Sequence, residues 1–178
     1  MLKETVEYKR FVWELNNIIN IKNKNNDIIF LCIGTNKVIG DSFGPSVGEN
    51  LKKCMQTKKN IKVIGDYENI ICYANIEKII KKIKQSYKRS LIIVLDSALS
   101  NESDIGKIFI QNRGLKYAEG LGKKNNIIGN ISIKAVVGKN CNNCIKNFKQ
   151  LKNASIDKIK YMSSLVSSGI IEIVNNNI

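Results

Sequence analysis

The chain has 178 residues, 43% of them apolar, which suits one globular domain with a sizeable core and excludes a disordered chain. Its formal charge of +14, from 29 Lys+Arg against 15 Asp+Glu, attracts polyanions. Only Arg10, Arg89 and Arg113 are arginines, however, and the lysines are spread along the chain, so nucleic acid is not the expected partner.

Residues 1–20 mix charges into apolar positions, so they form no signal peptide; Val6, Val12, Trp13, Ile18 and Ile19 predict a helix there. Asp27–Ile33 is a continuous apolar run and predicts a buried strand. Pro45–Gln56 predicts a helix with proline in its first turn. Ile61–Ile64 predicts a short strand, ended by Gly65 and Asp66. Asn75–Arg89 predicts a helix with Ile76, Ile79, Ile80 and Ile83 on one face, and the lysines between them read as its wet side. Leu91–Leu95 is a second fully apolar strand. Lys107–Ile110 and Ile131–Val137 predict further strands. Ser155–Val174 predicts a last helix, striped by Ile156, Ile159, Met162, Leu165 and Val166. No run approaches the roughly 20 apolar residues that span a bilayer, so no membrane contact and a cytoplasmic location are expected.

Continuous apolar strands alternating with helices imply an α/β fold, a three-layer αβα sandwich around a mostly parallel sheet, within one domain covering 1–178. Sites in such sheets form outside the carboxyl ends of the strands. Two segments meet that rule. One is the glycine-punctuated loop Gly34-Thr35-Asn36-Lys37-Val38-Ile39-Gly40-Asp41-Ser42-Phe43-Gly44-Pro45. The other is Leu95-Asp96-Ser97, where an acid closes an apolar strand. If the two strands are neighbours, Asp41 and Asp96 face each other across one edge. Two carboxylates in a partly desolvated place do not both ionise easily, which leaves an acid and a base for activating water against an amide. The same pair suits a divalent cation.

Plainer readings stand beside these. Asp41-Ser42 before Gly44-Pro45 suits a helix N-cap, and Asp96-Ser97 suits a turn cap. The loop also resembles a phosphate cradle at a helix N-terminus, but it matches neither G-x-G-x-x-G nor G-x-x-x-x-G-K-[ST], and Asp41 repels an anion. Of the five cysteines, Cys32 and Cys72 read as small core residues. Cys141-Asn-Asn-Cys144 is a lone C-x-x-C, and a structural zinc needs two more ligands from a chain with no histidine. The odd count and the expected compartment argue against a disulfide framework.

The strings "IGTNKVIGDSFGPSVGENL" and "LIIVLDSALS" resemble the sporulation protein family typified by YyaC, a domain of unknown function, with the resemblance covering roughly Asp27 to Val137. More distantly the chain is similar to the spore germination protease and the hydrogenase maturation endopeptidases, which implies a phosphorylase/hydrolase-like fold. The resemblance to the germination protease implies catalytic roles for Asp41 and Asp96. In the hydrogenase maturation enzymes the matching positions are acidic metal ligands completed by a histidine, which this chain lacks. The segment Gly120 to Gly138 resembles the third segment of the YyaC group, with Asn130 and Ser132 nearest the site. Candidate substrate-binding residues are therefore Gly34, Thr35, Asn36, Ser42, Ser97, Asn130 and Ser132.

The expectation that follows is a peptidase-like hydrolase of a sporulating cell or spore. It takes a protein or peptide substrate; no cofactor or metal is assigned, and metal occupancy of the Asp41/Asp96 site stays open. The alternative is a non-catalytic spore protein that uses the same fold as a binding module. A homo-oligomer stays open.

Overall fold

The computed structural model describes residues 2–22, 27–117 and 127–177. Its centre is a five-stranded sheet in which β1 (Ile28–Cys32), β2 (Ile61–Ile64), β3 (Leu91–Ser100), β4 (Ile108–Gln111) and β7 (Ile131–Lys139) run in the order β2-β1-β3-β7-β4. β2, β1, β3 and β7 are mutually parallel, and β4 closes one edge antiparallel to β7. A second, two-stranded sheet pairs β5 (Leu115–Lys116) with β6 (Ile127–Ile128). This is the αβα arrangement that the strand pattern predicts.

All five residues of β1 are buried, as a strand needs when both faces of its sheet are covered. On one face pack α1 (Val6–Lys22), α2 (Phe43–Met55) and α5 (Ile156–Asn177). Phe11, Leu15, Val47, Leu51, Met162, Leu165 and Val166 meet Phe30, Ile93, Leu95 and Ile133 there. On the other face α3 (Ile76–Ser86) and the small sheet bring Ile76, Ile83, Leu115 and Ile128 against Ile29, Leu31 and Val94. Each such side chain stabilises the fold by roughly 1.5–3 kcal/mol relative to exposure. Alternation along β3 thus sends Ile93 and Leu95 toward α1, α2 and α5, and Val94 toward α3.

Several elements differ from expectation. β3 does not stop at Leu95; it runs on to Ser100 because β7 continues beside it as far as Lys139. α2 begins at Phe43, two residues ahead of Pro45. Trp13 is 69% exposed, and the buried stripe of α1 is Tyr8, Phe11, Leu15 and Ile19. Ile156 lies outside the stripe of α5, at 51% exposure. Cys32 is buried, whereas Cys72 is only half-buried. A further helix, α4 (Cys144–Lys152), follows β7.

Asp66 shows what a purely structural acid looks like here. It follows β2 at the same sheet edge as the candidate acids and is 3% exposed. Its carboxylate accepts from the amides of Glu68 (2.9 Å) and Asn69 (2.6 Å) and pairs with Lys52 of α2. Every lone pair has a nearby donor, so the charge is held by its partners.

Candidate active site

The loop after β1 returns to the strand it leaves. The Ile33 amide donates to the Leu95 carbonyl and the Gly34 amide to the Ile71 carbonyl, both at 2.8 Å. Gly34 has φ +137°, and a Cβ there would strike the Asp41 carbonyl. The Thr35 amide donates to that same carbonyl at 3.0 Å, which closes the loop. Residues Ile39–Asp41 form a 3-10 turn, and α2 starts two residues later.

The N-cap of α2 is Ser42, which makes no side-chain cap bond; its hydroxyl donates instead to the Ile39 carbonyl at 2.7 Å. Asp41 lies one position outside the cap, so the capping reading does not describe it. Asp96 closes no strand and caps no turn either. It sits inside β3, one residue beyond Leu95, which pairs with Cys32 as β1 ends. Its carboxylate accepts from the Ser97 amide at 2.9 Å.

The two acids share one electrostatic environment. Burial pushes the Asp41 carboxyl up to about 6, opposed by the Thr35 backbone amide. Burial pushes Asp96 up to about 7, and the Asp41 charge adds to that rise; the Ser97 amide and Lys134 oppose it. Unlike Asp66, neither acid has enough donors to offset its desolvation. Each is therefore shifted toward the protonated form, and the Asp41 charge helps to hold the proton on Asp96.

The remaining candidates separate. Thr35 and Ser42 lie in the Asp41 loop and are half-buried, while Asn36 is exposed. Gly34 shapes the loop backbone. The Ser97 hydroxyl is buried without a hydrogen-bond partner, and strand alternation turns it to the face opposite Asp96. Asn130 is not near the acids: it lies at the amino end of β7, where its side-chain oxygen accepts from the Ile92 amide at 2.8 Å. Ser132 is fully buried beside Val94, two residues short of the Asp96 level. Residues 120–126 of the expected third segment lie outside the described residues.

Lys134 is a site residue that the motifs miss. It is the register partner of Asp96 on β7, half-buried, and its charge acts on that carboxyl. The alternation of Ile131, Ile133 and Ala135 puts Lys134 on the opposite face of β7 from them, but only the β3–β7 register shows which residue it meets.

Among the described residues no group of three His, Cys, Asp or Glu side chains suits a metal ion. Cys141 is half-buried and Cys144 exposed. No helix is long and apolar enough to cross a membrane.

Residues 2–169 match the model of a family described as a protein of unknown function, DUF1256. The uncharacterized protein YyaC of Bacillus subtilis (strain 168) is 27% identical over 143 residues, covering 80% of this chain and 67% of that protein. A solved structure, the [NiFe] hydrogenase maturation protease HycI from Thermococcus kodakarensis KOD1, superposes with a TM-score of 0.62 at 18% identity. The match covers 92% of this chain and 99% of that one. At that identity the likeness is one of fold.

Proposed function

The chain belongs to the DUF1256 family, and from that premise we propose that it is a sporulation-associated hydrolase of peptide bonds working through Asp41 and Asp96. The observation that carries the reading is the placement of Asp41, in the loop that leaves β1, and of Asp96, in the neighbouring strand β3, so that the Asp41 charge acts on the Asp96 carboxyl. Near neutral pH such a pair holds about one proton. Asp41, with the lower value, is then the base that takes a proton from water as it attacks the amide carbonyl. Asp96, with the higher value, is the acid that gives its proton to the departing amine. After one turnover the proton left on Asp41 passes back to Asp96, whose value is the higher, and the cycle closes. The peptidase fold of HycI supports the substrate class.

Small acid-soluble spore proteins are the trial substrate. Wild type is expected to cleave them across pH 4 to 8 with a maximum near the two raised values, between about 6 and 7. The Asp41→Asn/Asp96→Asn double variant is expected to show no cleavage. Equal cleavage by both, followed on gels and by mass spectrometry of the fragments, would reject the pair as catalytic.

One observation favours a second reading, a non-catalytic binding module. α4 packs against the Asp41 turn and exposes Ile145 (71%) and Phe148 (55%). Apolar side chains this open suit a protein contact. On this reading a partner from sporulating lysate stays bound to the double aspartate variant at low and high salt. It is lost from Ile145→Asp/Phe148→Asp. Retention by that α4 variant would count against the surface.

A further inference from the structure

We infer that Lys134 is the resident cation of the Asp41/Asp96 site, standing where two such carboxylates would otherwise collect a divalent metal ion. The inference rests on reading Asp41 and Asp96 as one paired site, and its test makes no use of hydrolysis.

The placement comes from the sheet. β3 and β7 are parallel neighbours, and Asp96 is matched with Lys134 in their register. Matched residues on adjacent strands point to the same face with backbones roughly 5 Å apart, so a lysine chain there readily reaches its neighbour's carboxylate. Phe109 is the register partner of Lys134 on the far side, on edge strand β4, and supplies no charge. Three other lysines are committed elsewhere: Lys52 to Asp66, Lys107 to Asp104 and Lys139 to Glu102. Lys134 acts on Asp96 in the sense expected of an adjacent cation, favouring the ionised form.

The donor set alone makes only a sparse metal site, which a neighbouring cation suffices to close. Calcium and magnesium need six or more oxygen ligands, and zinc needs about four from His, Cys or carboxylate. Here the described residues bring two carboxylates and no third His, Cys, Asp or Glu, in a chain without histidine. A lysine ammonium on the neighbouring strand, acting on one of those carboxylates, also opposes the approach of a dication. Unlike a bound metal ion, which needs the loop carboxylate to complete its shell, Lys134 is delivered by β7 with the sheet.

Manganese(II) alone is the probe, followed by loss of the free-ion electron paramagnetic resonance signal near pH 8, where both carboxyls are ionised. Wild type and Lys134→Arg are expected to bind it weakly. Lys134→Met and Lys134→Gln are expected to bind at least about tenfold tighter. The gain is expected to disappear in Asp41→Asn/Lys134→Met. Lys134 is half-buried, and circular dichroism of both neutral variants checks that the fold survives. Wild type binding as tightly as the neutral variants would overturn the inference. So would no gain on neutralisation, or a gain that persists without Asp41. If the neutral variants gain manganese while wild type cleaves nothing, the cation assignment stands and the hydrolase reading falls.

Discussion

Asp96→Asn is expected to give a protein that is more stable and at least about a hundredfold less active in peptide hydrolysis. The stability gain follows from the direction of the titration. The folded carboxyl titrates at about 7, against an ordinary value of 3.8. Between these values the folded state binds more protons than the unfolded chain, so stability falls as pH rises through that window. Above it the folded protein carries the whole cost of a desolvated carboxylate beside the Asp41 charge. Asparagine keeps the shape and removes the charge. Allowing for Asp96's partial access to solvent and the counter-charge of Lys134, the gain is about 2 kcal/mol near pH 8. For a chain of this length that is a rise of about 5 °C in Tm. Near pH 4 the native Asp96 is protonated and the gain should shrink to nearly nothing. Denaturant unfolding of both proteins at pH 4, 6 and 8 checks this. An Asn variant less stable than wild type at pH 8 would show that Asp96 is held by its partners, as Asp66 is.

That comparison explains how far the site could be read from residues alone. Asp66, Asp41 and Asp96 all lie at the carboxyl edge of the sheet, and all belong to segments that leave or prolong apolar strands. What separates them is the donors around each carboxylate. Lys52 reaches Asp66 from α2, 14 residues away in the chain, and no local pattern announces that pairing. The strands Ile28–Cys32 and Leu91–Leu95 are legible because a strand covered on both faces must be apolar throughout. The length of β3 is not legible: residues 96–100 are held by β7, and their composition alone predicts a loop. Asp96 is therefore a site candidate reached through a wrong boundary. Lys134 needs the register of strands nearly forty residues apart. Asn130 and Ser132 fail for the same reason, since their segment runs toward the acids but these two lie at its start. α4 escapes notice because none of its nine residues is fully buried, so it has no sharp apolar stripe.

The glycines of the loop are as decisive as its acid. Gly34→Ala and Gly44→Ala are each expected to destabilise the protein by about 3 kcal/mol or more, and to destroy the site even where the fold survives. At Gly34 a methyl group meets the Asp41 carbonyl, and the positive φ adds strain of about 1 kcal/mol for any L side chain. At Gly44, in the first turn of α2, a methyl group meets the carbonyl of Ile33, the residue just past β1. Neither obstacle is a flexible side-chain tip; both are backbone, one in the turn that carries Asp41 and the other at the end of β1. The first contact fixes how closely the loop folds back, and the second fixes how closely α2 approaches the end of β1. Relieving either clash is expected to displace Asp41 relative to Asp96. A destabilised but folded Gly44→Ala protein should therefore show the Asp96 carboxyl titrating lower than in wild type, because the Asp41 charge no longer raises it. Carboxyl-carbon NMR across pH 4 to 9 reads this directly. An Asp96 titration unchanged in a folded Gly44→Ala variant would mean that the two acids do not share a proton, whatever either does alone.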